Sequence, residues 1–350
     1  ILMLLRWNKF LDIFKKVLPL FIVTILMMIL LFKMIPTNYT PGGYSRYNYM
    51  ITQPFVIFHY FLSMFFPFSL SADTDWQSYV TIFDDRAIAG LIFLFCIGYI
   101  IVKTSNIEEL RGVSFGLLWF LIALLPTSSL IPLAEVMNDH RMYYPYVGLV
   151  ISIIVYVRYL LDIKYNIFKD IKKSTVVYIV LFFITIGYSY GTYVRNKVWD
   201  NEESLWYDVT VKSPKNGRGL MNYALVLMGK GNIDEAIGYY KEALRYAPYY
   251  PLLHVNLAIA LNAKGDKISA EEHYKKALEY DPLSHQANYY YGYFLYNEGR
   301  YQEASGYLER AVEISPAYMM ARYLLMSLYQ QEGNIEKLKE LCEKTINVLP

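Results

Sequence analysis

Hydrophobic and polar positions follow two different rhythms along these 350 residues. In the first part, apolar residues come in long runs, at roughly 17–35, 50–70, 87–103, 113–133, 143–161 and 175–192. A helix needs about 20 mostly apolar residues to span a bilayer, and every run except the second meets that comfortably. The second, YMITQPFVIFHYFLSMFFPFSL, is strongly aromatic and is broken by Pro54 and Pro67. From residue 195 onward the runs give way to ordinary amphipathic helix patterning, with apolar residues every three or four positions among charged ones. The expected fold class is all-α: a polytopic transmembrane helical domain followed by an α-solenoid.

The solenoid is announced by proline. Pro214, Pro248, Pro282, Pro316 and Pro350 keep an unbroken spacing of 34 residues. Small residues precede three of them at two fixed distances, Ala236, Ala270 and Ala304 first, then Ala243, Ala277 and Ala311. Tyr240, Tyr274 and Leu308 fall between, and Gly231, Gly265, Gly299 and Gly333 precede each second helix. Small residues let paired helices approach, bulky ones fill the space between, and proline stops the second helix. This helix–turn–helix period is the tetratricopeptide (TPR) pattern. The repeats run 217–250, 251–284, 285–318 and 319–350, the last departing with Leu338 and Thr345 at the two small positions. Residues 195–216 carry Arg195, Trp199, Leu205 and Trp206 on a helical period. They read as a junction and half-repeat cap that joins the array to residues 1–194 without a flexible linker. First helices line the concave face of TPR arrays, and their sixth position carries Asn222, Asn256, Tyr290 and Leu324. Asparagines there resemble the ladder with which other TPR superhelices grip a peptide backbone. Asn222, Asn256 and Tyr290 are therefore candidate acceptor-peptide contacts, beside the plainer reading that both asparagines solvate helix faces.

Composition sharpens the first half of this picture. Hydrophobic residues make up 55% and charged ones 18%, a balance that favours a partly membrane-embedded protein over a soluble enzyme. The net charge of +2 conceals about +5 in the first 200 residues and about −3 in the repeats. Neither part has a basic stripe suited to nucleic acid. Cys96 and Cys342 suggest no disulfide and no metal site. Basic residues gather before the first run (Arg6, Lys9, Lys15, Lys16) and between the fifth and sixth (Lys164, Lys169, Lys172, Lys173). The positive-inside rule puts both groups on the cytoplasmic side. That requires five crossings, with 50–70 lying along the interface or re-entering. The repeats, Asp73–Asp85 and Glu135–Arg141 then fall on the non-cytoplasmic side, in a bacterial inner membrane, with Lys103 and Arg111 inside.

The richest connection is LLPTSSLIPLAEVMNDHRMYYPYVGL, which sets Glu135, Asp139, His140 and Arg141 at the mouth of the next span. Arginine offers a planar fork of donors suited to phosphate, and Tyr143, Tyr144 and Tyr146 suit a membrane interface. The plainer reading is a capped, aromatic-belted loop end. These phrases resemble those of the bacterial relatives of the transmembrane-and-tetratricopeptide protein O-mannosyltransferases. In that family a Pro-(Thr/Ser)-Ser phrase closes one span and an Arg-x-x-Tyr-x-Pro-x-x-Gly phrase opens the next. Arg141, Tyr144, Pro145 and Gly148 match the second phrase except that Tyr144 and Pro145 are adjacent, and Pro67, Leu70 and Asp73 match a proline–leucine–aspartate phrase after the aromatic run. The resemblance implies an integral glycosyltransferase that moves a sugar from a polyprenyl-phosphate carrier to protein Ser or Thr. It further implies Arg141, His140 and Tyr144 on the lipid phosphate of the sugar donor, and repeats that bind the protein acceptor.

One departure counts against catalysis by this chain. The family's acidic catalytic motif sits in its first external loop, whereas TNYTPGGYSRYNY holds no Asp or Glu. Because the chain begins at Ile1 inside an apolar phrase, the expectation is that catalytic residues lie upstream. The alternative is a non-catalytic, membrane-anchored TPR scaffold for envelope protein assembly. Asp73 and Asp75 are candidate contacts for a divalent metal or an acceptor, against an ordinary acidic turn. His59 reads as a packed or interfacial histidine, and Asn38 begins a three-residue glycosylation pattern.

Overall fold

The computed structural model describes residue 26 and residues 45–67, 70–128, 133, 135–164 and 173–346. The run at 17–35 (apart from Leu26), Asn38, the first basic group, Lys169 and Lys172 of the second, and Pro350 lie outside these. Among the described residues there are fourteen α-helices and two short 3-10 turns, with no strand. The chain divides into two compact units, Ile1–Arg195 and Asn196–Pro350.

The first unit contains α1 (Arg46–Phe65), α2 (Asp85–Ser105), α3 (Arg111–Leu124), α4 (Tyr143–Lys164) and α5 (Lys173–Val198). Helix α1 begins where Ser45 Oγ accepts the Asn48 N–H at 3.0 Å. It runs unbroken through Pro54, contrary to the break expected there, and stops just before Pro67. The backbone at Pro54 is where α2 comes closest: a Cβ on Gly90 would lie 2.3 Å from Phe55 N. Helices α3 and α4 meet glycine to glycine. A Cβ on Gly116 would sit 2.2 Å from the Gly148 carbonyl oxygen, and one on Gly148 2.4 Å from that of Gly116. Small residues at such crossings let backbones touch, which gives Gly148 a structural reason to be glycine.

The run at 113–133 is also corrected. Its helix ends at Leu124, because Pro126 lacks the N–H that another turn would need. Fourteen residues rise only about 21 Å, short of a bilayer core. Among the described residues, two helical segments are long and apolar enough to cross a membrane, Asp85–Ser105 and Asp139–Leu160. Apolar side chains nevertheless point outward well beyond them. Along α5, Ile179, Phe182, Phe183 and Ile184 are all exposed, Phe183 by 66%.

The second unit is a stack of antiparallel helix pairs. A short leading helix, α6 (Glu202–Lys212), is followed by the pairs α7 (Gly217–Gly229) with α8 (Ile233–Tyr246) and α9 (Pro251–Lys264) with α10 (Lys267–Tyr280). Then come α11 (His285–Asn297) with α12 (Tyr301–Ile314), and α13 (Met319–Gln331) with α14 (Ile335–Ile346). Ala236, Ala270 and Ala304 are fully buried, as are Ala243, Ala277 and Ala311. Each first helix ends in a left-handed glycine, Gly231, Gly265, Gly299 and Gly333, with φ from 68° to 93°. A side chain there would strain the turn. Helix α6 lies against α7, its Val209 fully buried and Trp206 packed on the repeat core.

A polar latch joins consecutive repeats. Six residues after Pro248, Pro282 and Pro316 stand His254, Asn288 and Arg322, all buried, and each donates to that proline's carbonyl. The distances are 2.9 Å from His254 Nε2, 3.2 Å from Asn288 Nδ2 and 2.5 Å from Arg322 Nε. Arg322 also donates to Thr345 Oγ1 at 2.8 Å, which accounts for the unusual threonine in the last repeat.

Candidate functional site

Two regions gather the residues singled out by the sequence. In the first unit, α1 holds the connection between α3 and α4 along its length. Tyr49 Oη donates to the Thr127 carbonyl at 2.6 Å, and Gln53 Nε2 to that of Val136 at 3.3 Å. Tyr60 closes a reciprocal pair, donating to the Asn138 carbonyl at 3.0 Å and accepting the Asn138 N–H at 2.9 Å. The connection between α1 and α2 joins the same platform. Asp139 Oδ2 accepts the Ser71 N–H at 3.0 Å, and Thr74 Oγ1 donates to the Met137 carbonyl at 3.0 Å. The phrase containing Asp73 and the phrase containing Arg141 are thus neighbours in space.

Within the platform the individual side chains are committed differently. The Arg141 guanidinium folds back on Glu135, donating to its carbonyl and to Oε2, each at 3.3 Å. Its side chain is only 8% exposed. The fork expected to meet a phosphate is occupied inside the chain, where it braces the loop. His140 is exposed beside it, its N–H donating to Asn138 Oδ1. Tyr144 sits farther along, its carbonyl accepting from Trp119 Nε1 at 3.2 Å and its ring 5.0 Å from that indole. Both line an apolar cleft of about 150 Å³ on α3 and the start of α4. Asp73 is buried, Oδ1 accepting the Thr74 N–H at 2.9 Å. Asp75 is half-buried nearby. Among the described residues no group of three or more His, Cys, Asp or Glu could hold a metal ion. His59 packs 4.9 Å from the Trp76 ring.

In the second unit, each first helix touches the first helix of the next repeat, and second helices approach one another less closely. This puts α7, α9, α11 and α13 on the inner face. Asn222, Asn256, Tyr290 and Leu324 recur there in register and are all half-buried. The inner helices are almost free of charge. Helix α11 has no Asp, Glu, Lys or Arg, α7 has only the exposed Arg218, α9 has only Lys264, and α13 has only the buried Arg322. The second helices carry the charge instead, in pairs such as Lys275 with Glu271 and Lys337 with Glu309. Burial works to raise the Glu271 carboxyl, but hydrogen bonds from Lys275, Arg300 and Tyr291 hold it down at about 2. Of the α11 tyrosines only Tyr290 stands out by its repeat position, because tyrosine is abundant throughout the chain. The available signal was NYYYGYFLY, an uncharged tyrosine cluster on one inner helix.

Comparison with known proteins agrees on this unit. Two tetratricopeptide-repeat family models match, one over residues 217–282 and the other over 255–318. TPR repeats are therefore present in the C-terminal region. Among solved structures, MamA is similar at 18% identity, covering 41% of this chain and 84% of MamA, with a TM-score of 0.37. PilF of Pseudomonas aeruginosa is similar at 26% identity, over 39% of this chain and 62% of PilF, with a TM-score of 0.36. YrrB, described as a TPR protein with an unusual peptide-binding site, is similar at 22% identity, over 42% and 76%, with a TM-score of 0.34. No curated protein sequence matches the chain.

Proposed function

We propose that this chain is a membrane-anchored docking protein whose TPR array receives a protein segment on its inner face. The observation that carries this reading is the segregation of charge: an inner surface of asparagine and tyrosine with no acidic residue and only Arg218, Lys264 and Arg322 as cations, while most ion pairs lie on the second helices. Anchoring is supported by α2, α4 and α5, whose outward apolar side chains would form a costly surface in water. In this reading the repeats stand on the non-cytoplasmic side. A photo-cross-linking residue placed at Tyr293 should capture a defined protein partner from carbonate-washed membranes, while the same residue at Lys275 on a second helix should not. Equal capture at both positions, or release of the chain by carbonate, would sink the proposal.

A second reading is favoured by the convergence of Ser71 and Asp139. Here the first unit belongs to a polyprenyl-phosphate-sugar-dependent glycosyltransferase, and the repeats present a Ser or Thr acceptor. Because Glu135 occupies the Arg141 fork, this reading requires that ion pair to open when the donor lipid arrives. Glycopeptide mass spectrometry with and without the gene decides it. A hexose-sized mass restored by wild type but not by Arg141→Ala supports transfer, and an unchanged glycoproteome rejects it.

A further inference from the structure

We infer that the occupant of the TPR groove is an uncharged, proline-rich segment in the polyproline II conformation; this rests on the docking reading above and names the partner's chemistry. The argument begins with α11, whose inner face is a cluster of tyrosine rings. Tyr289 lies 6.3 Å from Tyr293 in a stacked arrangement and 5.2 Å from Tyr318 edge to face. On the next inner helix, Tyr323 is 61% exposed.

The hydroxyls divide into two groups. Those of Tyr291, Tyr296 and Tyr329 donate to Glu271, Gln331 and Glu309 and are structural. Those of Tyr293 and Tyr323 have no partner among the described residues, and both side chains are exposed. The groove therefore presents flat apolar faces with unused hydroxyls at their edges. Charge complementarity narrows the choice. An acidic tail needs lysine or arginine clamps, and α11 has neither; the Arg322 of α13 is buried against Pro316 and Thr345, Lys264 of α9 is paired with Asp234, and Arg218 lies two repeats away on α7.

A polyproline II strand makes no hydrogen bonds within itself, so its carbonyls remain open acceptors. Its proline rings are compact and apolar, and it enters a groove already extended. Aromatic-lined grooves recognise such segments for these reasons. Tyrosine answers both needs, with ring face against proline ring and hydroxyl toward carbonyl.

The test uses the full chain in detergent micelles and fluorescence anisotropy with three labelled probes. These are a decaproline peptide, a Gly-Ser peptide of equal length, and an acidic decapeptide with a free C-terminal carboxylate. Decaproline alone should bind saturably, and Tyr293→Ala or Tyr323→Ala should weaken it by about tenfold. Tyr293→Phe, which keeps the ring and removes the hydroxyl, should weaken it less. Circular dichroism should show unaltered folding of these variants, since both side chains are exposed. The inference is overturned by no saturable decaproline binding, by equal binding of the Gly-Ser probe, by preference for the acidic probe, or by indifference to both alanine variants. Failure of decaproline while the Tyr293 cross-linker still captures its partner overturns this inference alone. Failure of both overturns the docking reading as well.

Discussion

His254 and His273 form the most condition-sensitive contact in the repeats. The Pro248 carbonyl can only accept, so His254 donates from Nε2, and in the neutral ring its Nδ1 accepts from His273 Nδ1–H, 2.9 Å away. Burial pushes both below the ordinary histidine range, and His254 and Lys276 further lower His273, to about 4. Glu272 pulls His273 the other way, Lys241 from α8 adds to the lowering, and the Tyr280 ring packs on His254 at 5.3 Å. The unfolded chain takes up protons near pH 6.5, before the folded chain does. The stability that the pair contributes is complete above that pH and is lost as pH falls from about 6.5 toward 4. A thermal melt followed by circular dichroism should show a lower midpoint at pH 5 than at pH 7.5, by about 2–4 °C per kcal/mol lost. His273→Phe should flatten the dependence. At this same scale, Arg141 shows the limit of reading residues singly. Its type and position suggested a phosphate contact, but which acceptor it meets depends on where Glu135 is folded.

At the scale of elements, the repeats are legible in the sequence because their contacts are local. Each helix pair closes within 34 residues, so spacing alone reports alanine at the crossings and glycine at the turns. The latch between repeats escaped that reading, although His254, Asn288 and Arg322 obey the same period, because three different side chains perform one task. Asn288→Leu should lower repeat stability by about 0.5–1.5 kcal/mol, the net worth of the part-buried hydrogen bond to the Pro282 carbonyl. Chemical denaturation of the full chain, followed by circular dichroism, measures it. An unchanged midpoint would make the latch incidental. The apolar runs were less informative. They gave the direction of the helices but not their ends: α1 continues through Pro54, and α3 stops at Leu124. Hydropathy reports what a segment will bury and says little about where its backbone bonds stop.

Across the whole chain, charge and apolarity are sorted by location. The inner TPR helices carry no acidic residue and few basic ones, the outer ones are rich in ion pairs, and the first unit turns apolar side chains outward. Groove binding should therefore be nearly independent of salt, changing less than about twofold between 50 and 500 mM NaCl, since screening acts only where charges meet. Anisotropy titration with decaproline at the two salt concentrations checks this. A steep loss of affinity at high salt would show that the charged second helices bind the partner instead.

By itself, the sequence determined the solenoid of the second unit, its period, its crossing residues and its turn glycines. It could do so because every one of those features is set by neighbours fewer than about 50 residues away. Only the tertiary structure decided that Ser71 would meet Asp139, that Tyr60 would clasp Asn138, and that Glu135 would close the Arg141 fork. The first two contacts join residues 68 and 78 positions apart. No periodicity records them, because they arise from α1 packing on α2, α2 on α3 and α3 on α4, which carry their connecting loops with them.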